Sequence, residues 1–378
     1  MVIAGPALAF AIGQRGKPIE NREPAAFTGL DDGWDSLTSF GHYIGDRLPL
    51  RQRAVRLDGW ADEEVFDEDP AFGGSATPRV IGGKDGFLFL GEAFDEACAP
   101  PLSGAETAAH LAYLASIIRD SGRRVLTMVA PDKSSVHPEL VPTDFVKREC
   151  AEKSSDELWA ALDTANIPGF IDLRTPLREE TARTGHPLYL RTDSHWDEEG
   201  ARLAVREGVD FFSPGLFDDA EVAYVGQQAY IGDLTLLRAD PTADAAPDYR
   251  TTRPGITAVA DETLDDLGAQ IDHHFINTES NNGSNNGTAD RLIQGKTLMF
   301  IDSYGSVARS LLVPYFADLT VIDINTFDTE RFTDLISAAD QVWIMSVERR
   351  TAPRMADEIG STPFLAYLQQ HLPTRSTG

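Results

Sequence analysis

The chain has 378 residues, 33 of them Lys or Arg and 60 Asp or Glu, for a formal net charge of -27; 42% of residues are hydrophobic and 9% aromatic. That much apolar material can bury a full core, as one large domain or two smaller ones, so general disorder is excluded. The charge repels a phosphate backbone over most of the surface, which excludes sequence-independent binding of nucleic acid.

The first residues, MVIAGPALAFAIG, are apolar but too short to span a bilayer, and they lack the basic region of a complete export signal. The remnant of such a signal, the tail of an anchor and a buried N-terminal segment all fit them. No later stretch approaches spanning length. From Asn21 to about Ser75 turn formers and acids dominate, with one amphipathic stretch from Trp34 to Arg51. Residues 1–78 therefore read as a lead-in and residues 79–378 as the regular domain. Its opening, VIGGKDGFLFLG from Val80 to Gly91, sets a turn at Lys84-Asp85-Gly86 between two apolar runs, the pattern of a hairpin.

Apolar residues recur at helical spacing from Ala105 to Asp120, ahead of Gly122, and VLTMVA from Val125 to Ala130 has the length of a buried strand. Ser155 to Ala165 predicts a helix, Phe170 to Leu173 a short strand and Gly200 to Phe212 a helix. Further on, Leu298 to Ile301 predicts a buried strand, Val307 to Phe316 a helix and Leu319 to Ile324 a strand. A helix near Glu330 to Ala339, a strand from Val342 to Val347 and a last helix near Phe364 to His371 follow. Buried strands alternating with helices predict an α/β fold with a mainly parallel sheet flanked by helices.

The interval from about Pro214 to Gln294 breaks this rhythm. It is acidic and turn-rich, which predicts an irregular insertion, with SNNGSNNGTAD (Ser280 to Asp290) as a surface loop. Asn282 and Asn286 head N-x-S/T sequons there, a pattern that such a composition also produces by chance. The two cysteines, Cys98 and Cys150, form no CxxC pair and have no histidine at ligand spacing, which argues against a structural zinc site. One disulfide and two separate buried thiols are both compatible with them.

Three stretches carry residues suited to chemistry. In LMFIDSYGSVARSLLVPYF a buried strand runs into Asp302-Ser303 and then a helix, which sets the Ser303 hydroxyl at the carboxyl edge of the sheet, where open α/β sheets bind ligands. The helix N-terminus offers free N–H groups to a developing oxyanion, although a serine so placed also suits helix capping. In LYLRTDSHWDEEGARLAV, Asp193 precedes His195 by two residues. A serine needs a base to take its proton, and a histidine base needs a carboxylate to fix its tautomer and stabilise the imidazolium. A metal site from Asp193, His195 and the pair His273-His274 is disfavoured, because that pair lies in the irregular interval and no further ligand cluster accompanies it. The third stretch, APDKSSVHPELVP from Ala130 to Pro142, follows a predicted strand and opens onto the same edge, with Lys133 and His137 as substrate contacts or loop holders. Glu348-Arg349 follows another strand, where a plain ion pair is the simpler reading.

The ordered set GGKDGFLFLGE (Gly82 to Glu92), APDKSSVHPELVP, TDSHW (Thr192 to Trp196), GDL (Gly232 to Leu234), IDSYG (Ile301 to Gly305) and VER (Val347 to Arg349) resembles a known family. It is that of the SGNH-hydrolase-like acetyltransferases related to the alginate O-acetylation proteins of bacterial exopolysaccharide machinery. The resemblance covers roughly residues 20 to 350, and its most specific part is TDSHW followed by IDSYG, the reverse of the order in ordinary SGNH esterases.

The resemblance implies an SGNH-hydrolase-like fold and a triad of Ser303 as nucleophile, His195 as general base and acid, and Asp193 as orienting carboxylate. It implies transfer of acetyl groups to hydroxyls of an extracytoplasmic polysaccharide through an acetyl-serine, with no cofactor and no metal. A multi-pass membrane O-acyltransferase is the implied acetyl donor, and the periplasm or cell surface, with attachment through the N-terminus, the implied location. Backbone N–H groups of Ser303 with Tyr304 or Gly305 are the expected oxyanion donors; Lys133 and Arg349 are candidate substrate contacts, and Trp196, next to the base, fits either stacking on a sugar ring or a buried structural tryptophan. Two features stand apart. Family nucleophile motifs often read Gly-Asp-Ser, whereas Ile301 precedes Asp302 here. About thirty residues follow Val347, fewer than a domain needs, so no appended carbohydrate-binding domain is expected. The same triad also serves a carbohydrate acetylesterase, in which water deacylates the serine, and Ile301 is the argument for a non-catalytic glycan-binding or scaffold subunit.

Overall fold

The computed structural model describes residues 77–238, 243–264, 272–279 and 291–375. The expectations for the N-terminal apolar segment, for Trp34 to Arg51 and for the tract with Asn282 and Asn286 lie outside the described residues. The strands are β1 (Val80–Gly82), β2 (Leu88–Leu90), β3 (Arg124–Ala130), β4 (Phe170–Asp172), β5 (Glu221–Ile231), β6 (Ala243–Thr252), β7 (Ile256–Thr263), β8 (His273–Glu279), β9 (Ile293–Ile301), β10 (Phe316–Asp323) and β11 (Gln341–Val347). The helices are α1 (Gly91–Cys98), α2 (Gly104–Asp120), α3 (Lys133–Val136), α4 (Arg148–Thr164), α5 (Arg174–Thr184), α6 (Glu198–Phe212), α7 (Asp233–Leu237), α8 (Ser303–Leu312), α9 (Thr329–Ala338), α10 (Glu348–Asp357) and α11 (Thr362–His371). Among the described residues no helix is long and apolar enough to cross a membrane.

The chain divides into two compact units. In the larger, seven strands form a sheet in the order β4-β3-β11-β9-β10-β8-β7. The first five run parallel, and β8 and β7 add on antiparallel at one edge. Alternation along each central strand sends side chains to two cores. Met299 and Ile301 of β9 join Trp343 and Met345 of β11 on one face, against Ala204, Val205 and Val209 of α6. Leu298 and Phe300 join Val342 and Ile344 on the other, against α2, α9 and α11. Both faces are covered, as apolar strands without polar alternation require, and the fold is α/β with a mainly parallel sheet flanked by helices.

The smaller unit holds the hairpin of β1 and β2, residues 191–194 and residues 230–244. The hairpin pairs Val80 with Leu90, and its turn places Asp85 at φ 56°, a left-handed value that aspartate tolerates. Val80 and Leu88 close on Leu234 of α7, and the Leu88 N–H donates to the Arg191 carbonyl at 2.9 Å.

Cys98 and Cys150 are joined in a disulfide between the ends of α1 and α4, Cα to Cα 5.3 Å, which decides between the two arrangements that spacing left open. Three differences from expectation have local causes. The interval expected to be irregular carries four strands, β5 to β8. Strand β5 is exposed along almost its whole length, and the inward positions of β8 are Phe275 and Asn277, so neither shows a clean apolar period of two. Asn277 is buried because its amide donates to the Val313 and Phe316 carbonyls, both at 2.9 Å. Helix α4 starts at Arg148, seven residues before the expected Ser155, since only Ala151 of its early residues is buried and no stripe forms. Helix α8 runs from Ser303 to Leu312, ahead of the expected span, because Pro314 cannot continue it and Phe316 already opens β10.

Candidate active site

Strand β9 delivers Asp302 and Ser303 to the carboxyl edge of the sheet. Asp302 is buried and caps α8: Oδ1 accepts the Tyr304 N–H at 3.1 Å, while Oδ2 accepts the Val347 N–H at 2.7 Å and an Arg354 N–H at 2.9 Å. Capping therefore falls to Asp302, not to the half-buried Ser303. The Tyr304 N–H, expected among the oxyanion donors, is committed to that cap. The amides of Ser303 and Gly305 sit in the first turn, where the helix itself supplies no acceptor.

Gly305 is fixed by packing. A β-carbon there would lie 2.5 Å from the Ile301 Cβ and 3.1 Å from the Met345 methyl. Ile301 is fully buried in the core, so the residue that departs from Gly-Asp-Ser fills space that a glycine one turn later makes available.

His195 lies on a tight loop ahead of α6. The Leu190 N–H donates to the His195 carbonyl at 3.2 Å and the Asp197 N–H to the Leu188 carbonyl at 3.0 Å, with Tyr189 bridging Trp196. Asp197 then caps α6 through the Glu199 and Gly200 N–H groups at 3.0 and 2.9 Å. Leu188 holds a φ of 59°, uncommon for a leucine, so this loop stores some backbone strain. His195 is buried with its ring 4.8 Å from the Tyr304 ring, centroid to centroid. The neighbouring Trp196 is fully buried and its indole N–H donates to the Tyr304 carbonyl at 3.0 Å. Trp196 thus holds Tyr304 from within the core, which matches the structural one of the two readings open for it.

Asp193 and its supports lie in the smaller unit. Asp193 Oδ2 accepts the Asp233 N–H at 2.8 Å and the Tyr230 hydroxyl at 3.2 Å. Burial, first, and the Asp193 charge push the Tyr230 phenol up, so it stays protonated as a donor. Asp233 in turn accepts the Ser194 N–H at 2.8 Å and the Ser194 hydroxyl at 2.5 Å. Gly232 makes this approach feasible, because a β-carbon there would fall 2.0 Å from the Thr192 carbonyl oxygen. The GDL motif was visible in the sequence without a role; Tyr230 carried no signal, since β5 has no clear pattern.

The strand ends next to β9 carry a buried polar network. Glu348 accepts the Asp132 N–H at 3.0 Å, the Ser155 hydroxyl at 2.5 Å and the Ser135 hydroxyl. Burial and the nearby Asp132 raise the Glu348 carboxyl. Arg349 pairs with Asp132 and lies over the Tyr304 ring at 5.5 Å. Burial opposes the Arg349 charge, but Asp132 and the Tyr304 hydroxyl beside it outweigh that and raise it overall. Glu348-Arg349 is thus an interior network and not the exposed pair of the simpler reading, and Asp132 is a member that motif reading overlooked. Lys133 is buried in the first turn of α3. His137 is also buried, held by the Pro187 carbonyl at 2.5 Å, and burial lowers its pKa; it supports the loop. His273 and His274 pair with Asp261 and Asp318 at 3.1 and 3.0 Å.

Residues 80–269 match the family model of the SGNH hydrolase-like domain of the acetyltransferase AlgX. The chain is 26% identical over 229 residues to the probable alginate O-acetylase AlgJ of Pseudomonas putida, covering 56% of this chain and 55% of that protein. To the AlgJ of Pseudomonas aeruginosa it is 29% identical over 240 residues, 60% of this chain and 56% of the relative. The chain thus spans about half the length of the curated relatives it matches. Among solved structures, the O-acetyltransferase domain of Pseudomonas putida AlgJ aligns with a TM-score of 0.47 at 16% identity, over 77% of this chain and 98% of that one. A DHHW family protein from Eubacterium siraeum aligns with a TM-score of 0.49 at 16% identity, over 80% and 99%.

Proposed function

The chain belongs to the family of the AlgX-type SGNH hydrolase-like acetyltransferase domain, and from that premise we propose that it transfers acetyl groups to hydroxyls of an extracytoplasmic polysaccharide through an acetyl-Ser303. The observation that carries the reading is the buried imidazole of His195 against Tyr304, the residue after Ser303, at the N-terminus of α8.

In this mechanism His195 takes the Ser303 proton as Oγ attacks the acetyl carbonyl carbon. The amides of Ser303 and Gly305 stabilise the tetrahedral oxyanion. Collapse breaks the bond to the donor oxygen, which leaves with the proton from His195. A sugar hydroxyl next gives its proton to His195 and attacks the acetyl-serine, and the second collapse returns that proton to Oγ. Asp193, held by Asp233 and Tyr230, is the carboxylate that steers the imidazole and balances its transient charge. No step calls on a cofactor or metal.

The disulfide of Cys98 with Cys150 supports an oxidising compartment, the periplasm or the cell surface. The acetyl donor in this reading is a multi-pass membrane O-acyltransferase. An acetyl donor supplied with and without an oligosaccharide tests the transferase: acetylated oligosaccharide is expected, and free acetate as sole product in both cases would make the protein an acetylesterase.

A further inference from the structure

The parallel pairing of β3 with β11 sets Ala130 opposite Val347. Two residues beyond each, at the carboxyl edge of the sheet, Asp132 and Arg349 meet as an ion pair whose side chains are only 9% and 11% exposed. Their backbones are tied as well. Asp132 donates its N–H to Glu348 at 3.0 Å and accepts the Arg349 N–H at 2.8 Å, while Glu348 is held by the Ser155 hydroxyl at 2.5 Å and by Ser135. Because Asp132 matches the guanidinium charge, an anionic substrate would have to break an enclosed pair to use Arg349.

The guanidinium reaches Tyr304 instead. It lies 5.5 Å from the ring centroid and donates to the phenol oxygen. Burial pushes the Tyr304 phenol far up, so it meets the guanidinium as a neutral hydroxyl. Asp302 and Trp196 fix the backbone of Tyr304, and Arg349 fixes the far end of its side chain. The His195 ring packs on that side chain, 4.8 Å between centroids. A planar guanidinium can serve a carboxylate and an aromatic phenol at once, which the compact ammonium of a lysine does not.

We infer that Asp132 and Arg349 are positioning residues for His195, acting through the phenol of Tyr304. The inference rests on the transferase reading above and adds two residues to that site. An imidazole that takes a proton from Ser303 and returns it to a leaving oxygen must keep its orientation through both transfers, and a small misplacement is enough to slow them.

The test follows acetylation of Ser303 by p-nitrophenyl acetate in the full chain, separating the maximal rate from the ester concentration that gives half of it. Arg349→Lys should lower the maximal rate about 10- to 100-fold and leave the half-saturating concentration unchanged. Tyr304→Phe keeps the ring but cuts the link, and should show a loss of the same kind. The two together should lose little more than either alone, since both remove one coupling. Should Arg349→Lys fail to fold, Asp132→Asn takes its place in the cycle. An undiminished maximal rate, a change confined to the half-saturating concentration, or additive losses would overturn the inference.

A second readout separates this role from the transferase reading. In the magnetic resonance spectrum of histidine-labelled protein, the His195 ring signal, identified by its loss in His195→Gln, should move in Arg349→Lys, while those of His273 and His274 on β8 hold still. A parent protein that leaves Ser303 unacetylated would end the transferase reading, and a His195 signal that stays in place would overturn the positioning role on its own.

Discussion

The imidazole of His195 packs against the phenol ring of Tyr304 at 4.8 Å between centroids, and Tyr304 itself is fastened on every side. Its N–H binds Asp302, its carbonyl accepts from Trp196, and Arg349 covers its ring. The residue that follows the candidate nucleophile is therefore a rigid wall for the candidate base, which is the condition for a reactive geometry set before substrate arrives.

Asp302 and Arg354 form an ion pair in which both side chains are almost fully enclosed. Removing one partner leaves the other charged and buried, which costs about 3 to 5 kcal/mol. Arg354→Met is expected to lower the free energy of unfolding by that amount, read from urea denaturation. A loss below about 1 kcal/mol would mean that the cap of α8 does not depend on the pair.

Gly305→Ala drives a methyl into Ile301 and should cost about 1 to 3 kcal/mol. Ile301→Ala alone leaves a cavity and should cost about 2 to 5 kcal/mol. The two together should cost clearly less than the sum, since the new methyl enters the vacated space. Additive losses in the double-mutant cycle would show that Ile301 does not occupy the room made by Gly305.

Burial, with Asp272 and Asp302 nearby, raises the Asp323 carboxyl at the end of β10 to about 6. A raised carboxyl means that the folded state binds its proton more tightly than the unfolded state, whose value is about 4. Its contribution to stability therefore falls as pH rises from about 4 to about 6 and is level above that. Asp323→Asn, which keeps an acceptor for the Asn325 amides, should remove this decline from melting curves across that window. An unchanged slope would refute the assignment.

The disulfide closes a stretch of 52 residues. Chain-entropy arguments give a loop of that length about 4 kcal/mol of stabilisation. The Cys98→Ser, Cys150→Ser double variant should lose about 2 to 4 kcal/mol, read from denaturant unfolding with the oxidised protein as reference. Equal stability would mean that the bond adds nothing to the fold.

Much of the sheet was legible because its central strands are uninterrupted apolar runs such as VLTMVA and VWIMSV, which only a doubly covered sheet explains. The edge strands were not: β7 and β8 bury few side chains, one of them Asn277, and β5 is exposed. At the candidate site the sequence pointed to Ser303, His195 and Asp193 by residue type and order. It could not reveal that the Trp196 indole donates to the Tyr304 carbonyl or that Tyr230 and Asp233 hold Asp193. Those roles depend on contacts between residues 37 to 108 positions apart, which no local pattern encodes.

The central claim is that Ser303 becomes acetylated with His195 as its base. The most direct measurement is mass spectrometry of the protein digested after brief exposure to p-nitrophenyl acetate. One acetyl group on the peptide that holds Ser303 is predicted, formed at least about a hundredfold more slowly in His195→Ala. Acetylation absent from Ser303, or formed at an undiminished rate without the imidazole, would contradict the account.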